Sequence, residues 1–276
     1  MLPRTVACVA LVLCPSLLVT AQHNLPTSQA GWPCSGRVDP SYIRSAEATG
    51  GKVLLFKPTE VSGAADDMSA SRDHEETVIR AGGQLDEGVH DFEIPLDSTI
   101  ESTYFFISLQ CLQFVTVVQP SGDELPVDAP EVTYRAYEAI RLFIIKAPSP
   151  GTWKVRMAGR GFFSLIVSAK ADLALTGVSF VKDSVPIAGL APLGDSIRLE
   201  ASMRGEPRQV EFHFTSMRAA LLQTVELGLE QQTDARRTYA ADVTLPSTEF
   251  RVLMTGIDAN GFPFQRVTHR LFVGDR

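Results

Sequence analysis

From Thr77 to Phe272 the chain is a succession of short apolar segments separated by clusters of Gly, Pro and Asp. They recur about every 10 residues, a rhythm that belongs to all-β sandwiches rather than to helices, which need longer periodic runs. Two segments alternate cleanly. In Ser196–Met203, Ile197, Leu199, Ala201 and Met203 share one face, with Arg198, Glu200 and Ser202 on the other. In the next, Val210, Phe212 and Phe214 alternate with Glu211, His213 and Thr215. A period of two puts one face on a core and the other in water, the mark of a half-buried antiparallel strand.

The expected fold is all-β: two consecutive β-sandwich, immunoglobulin-like domains behind a short N-terminal helix-strand segment. The first sandwich is expected over 77–181. Its strand segments are Glu76–Ile79, His90–Ile94, Ser102–Leu109, Phe114–Gln119, Ala139–Ile145, Trp153–Met157 and Phe162–Ser168. The last two read as a hairpin about Gly159-Arg160-Gly161. The second domain is expected over 182–276 and adds Thr238–Thr244, Glu249–Ile257 and Phe264–Phe272. Asn260-Gly261 between the last two is a strong turn signal, because both residues tolerate positive φ.

Ahead of the sandwiches, 22–61 forms an N-terminal segment, with 62–76 as a polar linker. Within the segment, Asp39 is placed to cap a helix and Pro40 sits at its first position, where a missing N–H is harmless. Tyr42, Ile43 and Ala46 recur at helical spacing, Gly50-Gly51 ends the helix, and Val53–Phe56 is a short strand.

Residues 1–21 read as a secretory signal peptide. Arg4 gives a small positive n-region, Val6–Val19 an apolar h-region broken by Pro15, and Val19-Thr20-Ala21 small residues for cleavage near Ala21. The expected location is therefore secreted, periplasmic or extracellular. No later segment is apolar enough to span a membrane. Cys8 and Cys14 would leave with the signal, keeping Cys34 and Cys111. In an oxidising compartment the two suggest one disulfide across a long loop; the alternative is two free thiols. Formal net charge is −7, and losing Arg4 makes it one unit more negative, which leaves no electrostatic footprint for nucleic acid or an anionic membrane.

A resemblance rests on Asp39-Pro40-Ser41-Tyr42 with Ala46-Glu47-Ala48-Thr49-Gly50-Gly51, on Pro150-Gly151-Thr152-Trp153-Lys154-Val155, on Phe250-Arg251-Val252, and on Thr255-Gly256-Ile257-Asp258-Ala259-Asn260-Gly261-Phe262-Pro263-Phe264-Gln265-Arg266. Their order resembles the region that follows the von Willebrand factor A (VWA) domain in hemicentin-like and other VWA-containing secreted proteins. The resemblance implies an extracellular interaction or adhesion role. The portion of a VWA domain that carries its metal site is missing, so metal-dependent adhesion is not carried over.

No residue pattern assembles catalytic chemistry, and no cofactor is expected. Asp67-Met68-Ser69-Ala70-Ser71 spells a D-x-S-x-S metal motif, but it follows no apolar strand. Asp258 and Asn260, with Asp242, suggest a calcium loop, yet a hairpin turn explains the first two without one. The histidines (His23, His74, His90, His213, His269) lack metal-ligand spacing. There is no Gly-x-Ser-x-Gly elbow and no phosphate-binding glycine loop. Trp153, Phe262, Asp258 and Asn260 are the candidate binding residues. Trp153 and Tyr104 have rings able to stack on a sugar, although a Trp such as Trp153 more often anchors a sandwich core. Phe262 sits in the Asn260-Gly261 turn, either exposed for contact or capping the core. The expectation is a non-enzymatic protein-interaction module with an unidentified protein partner. The alternative is a carbohydrate-binding module.

Overall fold

The computed structural model describes residues 7–14, 17–24, 34, 39–56, 60, 76–182, 185–187 and 193–273. The linker before Glu76, with Asp67 to Ser71 and His74, lies outside them, as does most of the segment 22–37. The described residues are all-β apart from one helix, and their sheets are antiparallel throughout.

The first unit is built from three very long strands: β4 (Glu76–Leu96), β5 (Ile100–Val118) and β8 (Gly151–Ala171). With β6 (Val132–Ala136) and β7 (Ile140–Lys146) they form one sheet of order β4-β8-β5-β7-β6. The sheet bends across its middle, so its two halves face each other as the layers of a sandwich. The bend lies where the ladders shift register, between Leu85 and Gly88, Leu109 and Cys111, and Leu112 and Phe114. Gly88, Gly159 and Gly161 there have φ of 150°, 145° and 96°. A Cβ at residue 159 would stand 2.1 Å from the Cys111 carbonyl oxygen, so only glycine lets the strands cross this closely.

The hairpin expected about Gly159-Arg160-Gly161 is thus absent. Trp153–Met157 and Phe162–Ser168 are two halves of the single strand β8, paired with β4 on one side and β5 on the other along its length. The glycines bend the strand rather than reverse it. Trp153, Phe105, Ile107, Phe163 and Val155 fill the fold between the halves.

The outer face of one half is also apolar. Tyr104, Phe106, Leu142, Phe162 and Ile166 are covered there by α1 (Pro40–Thr49) and β3 (Lys52–Phe56) through Ala46, Val53, Leu54 and Leu55. The helix has the ends its sequence specifies. The Asp39 carboxylate accepts from the Ser41 N–H at 2.8 Å, Pro40 opens the first turn, and Gly50 closes the last at φ 76°. Lys52 lies over the rings of Tyr104 and Phe106, at 5.2 and 5.8 Å. Strands β1 (Ala7–Cys14) and β2 (Leu17–Asn24) form a hairpin whose first strand pairs with β3. Cys34 and Cys111 are joined in a disulfide across 77 residues, Cα atoms 5.0 Å apart.

The second unit is an immunoglobulin-like sandwich of two sheets. One has the order β10-β9-β11-β15-β14, with β9 (Ala174–Lys182), β10 (Val185–Pro186), β11 (Ser196–Arg204), β14 (Gly228–Gln232) and β15 (Arg237–Thr244). The other has the order β13-β12-β16-β17, with β12 (Gln209–Thr215), β13 (Leu221–Val225), β16 (Arg251–Ile257) and β17 (Pro263–Val267). Phe180, Phe212, Phe214, Phe250 and Phe272 fill the space between them with Ile197, Leu199, Ala201 and Met203. The inward faces read from the alternation of β11 and β12 are therefore the buried ones. The boundary expected at 181/182 moves: β9 pairs with β11 from Ala174 onward, so the crossover falls at Asp172–Leu173.

Candidate functional site

Three features at or near the seam between the units draw on residues of α1, the first sheet and the second sandwich. The first is an ionic cluster. Glu47 reaches from α1 to Arg80 of β4, with Oε2 accepting from Nε at 3.1 Å and Oε1 from Nη2 at 3.2 Å. Arg80 also donates to the carbonyls of Gly50 (3.0 Å) and Gly51, at the negative end of the helix. The same carboxylate pairs with Arg251 of β16. All three side chains are buried, and Arg251 is 0 % exposed. Burial lowers the guanidinium pKa values to about 10 for Arg80 and about 9 for Arg251. Two cations thus share one anion in a dry place, an arrangement costly to break.

The second feature is a polar latch. The loop 258–262 joins β16 to β17. The Asp258 carboxylate accepts from the N–H groups of Asn260 (2.9 Å) and Phe262 (2.8 Å), which shapes that loop. Its other oxygen accepts from the Ser98 N–H and hydroxyl, at 2.8 and 2.6 Å, and Asn260 Nδ2 donates to the same hydroxyl at 2.8 Å. Burial pushes the Asp258 carboxyl upward, but the Ser98, Phe262 and Asn260 bonds outweigh it and hold the pKa below the ordinary value. Beside the latch, Arg266 and Asp97 form a fully buried pair at 2.8 Å, and Arg266 Nε donates to the Leu173 carbonyl at 2.9 Å.

The third feature is an open cleft of about 660 Å³ between the end of α1, the start of β4, β9 and the segment after β17. Its walls carry Glu76, Arg204 and Arg270, with His269 beside them. His269 Nδ1 lies 2.6 Å from the Thr77 hydroxyl. No group of three His, Cys, Asp or Glu among the described residues has the arrangement to hold a metal ion. No helix among the described residues is long and apolar enough to cross a membrane.

The candidate binding residues fall in different places. Trp153 is 1 % exposed, and its indole N–H donates to the Ser149 carbonyl at 2.9 Å. It is a core anchor and offers no face for a sugar. Tyr104 is buried too. Asp258 and Asn260 have their polar atoms turned to their own loop and to Ser98. Phe262 is half-buried in that loop.

One surface escaped the sequence reading. Strands β13 and β14 are consecutive, two residues apart, and each is the outermost strand of its sheet. One flank of the sandwich therefore carries two open edges. Leu221 (63 % exposed), Leu222 and Leu229 stand on it in water. Edge strands are normally blunted by charge or proline. Charge marks β4 (Asp86, Glu87, Asp91, Glu93), β6 (Arg135) and β14 (Glu230), Pro186 ends β10, and Pro263 opens β17. Strand β13, Leu-Leu-Gln-Thr-Val, has neither.

No family model matches this chain, and no curated protein matches it. Among solved structures it is similar to a Bacillus licheniformis lipase in its propeptide form, at 13 % identity and a TM-score of 0.33, over 72 % of this chain and 42 % of that one. It is also similar to a tandem of titin immunoglobulin domains, at 12 % identity and a TM-score of 0.17, over 70 % of this chain and 94 % of that one. The chain thus spans about two fifths of the lipase chain.

Proposed function

We propose that this is a secreted, non-catalytic interaction module that binds a protein partner by strand addition at β13. The observation that carries the reading is the open, uncharged edge of β13 with Leu221 and Leu222 in water. Such an edge offers a row of unpaired backbone groups and takes up an extended segment of another chain, with apolar side chains meeting the exposed leucines. The buried ion cluster and latch tie the sandwich that carries this edge to α1 and the first sheet. The resemblance to post-VWA regions of secreted proteins points to the same kind of role.

Secretion rests on the signal-like N-terminus and is compatible with the disulfide. Cleavage after Ala21 would remove β1 and most of β2, leaving β3 held by α1 and the apolar face beneath it. N-terminal sequencing of the secreted protein is expected to begin at Gln22; a chain still beginning at Met1 contradicts this part.

The binding test is affinity capture from the native secreted fraction with the mature protein, beside Leu222→Lys and an Arg156→Ala control on the first unit. A partner captured by wild type and control but lost with Leu222→Lys is the expected result. Equal capture by all three overturns the assignment to β13. A glycan-array signal that survives Leu222→Lys, with no protein captured, would favour the carbohydrate-binding alternative.

A further inference from the structure

We propose that the cleft between the units binds a small organic acid, its carboxylate held by Arg270 and Arg204. This goes beyond the strand-addition reading and uses a different surface. Three observations carry it. The open cleft has a volume of about 660 Å³, within the range of small-molecule sites, and is bounded by elements of both units. Its charge runs against that of the protein: in a chain of net charge −7, the walls present Arg204 and Arg270 against a single carboxylate. That carboxylate, Glu76, is tied back by the Leu175 N–H at 3.2 Å. Finally, part of the lining is apolar, from Leu175, Val178 and Phe272.

These features select the ligand. The Arg270 guanidinium lies over the Phe272 ring at 4.9 Å, which orients a planar fork of donors suited to a carboxylate. Arg204 Nε and Nη2 donate to the carbonyls of Asp172 and Ala171, which holds its charge at the rim of the cleft. An apolar wall beside two oriented cations fits a hydrocarbon body carrying a carboxylate better than inorganic phosphate. The potential of clustered cations at a concave surface also concentrates anions from solution.

The test titrates the full-length mature protein with succinate, with inorganic phosphate, and with the uncharged diamide of succinate, read by calorimetry and by Tm. Saturable succinate binding that raises Tm, with at least tenfold weaker binding of the diamide, is expected. Arg270→Ala and Arg204→Ala should each weaken succinate at least tenfold. Leu222→Lys should leave it unchanged, which separates this proposal from strand addition. Phosphate binding as tightly as succinate overturns the organic-acid assignment. Absence of saturable binding, or binding indifferent to both arginine variants, overturns the site.

Discussion

Replacing Glu47 by Gln keeps the shape of the side chain and removes the one negative charge between Arg80 and Arg251. Two buried guanidiniums then face each other without a counter-ion. Breaking a buried ion pair from one side typically costs about 3–5 kcal/mol, because the remaining charge stays desolvated. For a chain of this size each kcal/mol lowers Tm by about 2–4 °C, so the expected loss is about 6–20 °C. Arg80 would suffer less than Arg251, since it keeps the carbonyls of Gly50 and Gly51. Arg251 Nε and Nη1 have no acceptor among the described residues, so Arg251 depends on Glu47 alone. Adding Arg251→Met to Glu47→Gln removes the stranded charge and should restore about half of the loss, or about 2 kcal/mol. Urea unfolding of wild type, single and double variants provides the assay. The pH dependence is a second readout. Both arginines have folded pKa values below their unfolded values, so the unfolded state binds more protons above about pH 9. Stability therefore gains a rising component there, steeper in Glu47→Gln. A loss below about 1 kcal/mol, or a double variant weaker than the single, would refute the charge argument.

Other expectations follow from the same geometry. Gly159→Ala drives a Cβ into the Cys111 carbonyl at a bend with φ 145° and should abolish folding, whereas Gly122→Ala, with open space around it, should cost only about 1 kcal/mol of turn strain; circular dichroism and urea titration separate the two. Asp258→Ala removes the acceptor for Ser98 and for its own loop and should cost about 1–3 kcal/mol. The Asp258 carboxyl is held below its ordinary pKa, so its contribution is present above pH 3.8 and lost as pH falls through the folded value; Asp258→Asn should flatten that acid limb in a Tm profile. Burial, with Arg80 nearby, lowers the Lys52 pKa to about 8, so the amine opposes folding below pH 8 and less so up to 10.5; Lys52→Met should stabilise at pH 7, by an amount that shrinks towards pH 10.5.

What the sequence revealed depended on whether local chemistry decided the outcome. The ends of α1 were readable because Asp39, Pro40 and Gly50 each act on their own neighbours. The alternation of β11 and β12 was readable because one face of each packs on the core and the other carries polar side chains, even where Ser202 and Thr215 are buried. Gly159 and Gly161 misled for a physical reason: glycine with positive φ serves a turn and a bend equally, and only the pairing of β8 with both β4 and β5 selects the bend. The junction was invisible, since Glu47, Arg80 and Arg251 are far apart in the chain; the apolar neighbours of Arg80 and Arg251 signal burial, but not that the two share one carboxylate. The edges β13 and β14 were missed because nearly all their side chains are exposed, which erases the alternation that marks a strand. That exposure is what makes β13 the candidate contact surface.

The most direct measurement is hydrogen exchange at the backbone amides of 221–225 and 228–232, in the mature protein alone and with its captured partner fraction. Strand addition at β13 predicts that part of the amides in 221–225 exchange quickly when free and become protected with the partner, while 228–232 change little. Unchanged exchange at 221–225, with protection appearing elsewhere, would contradict it.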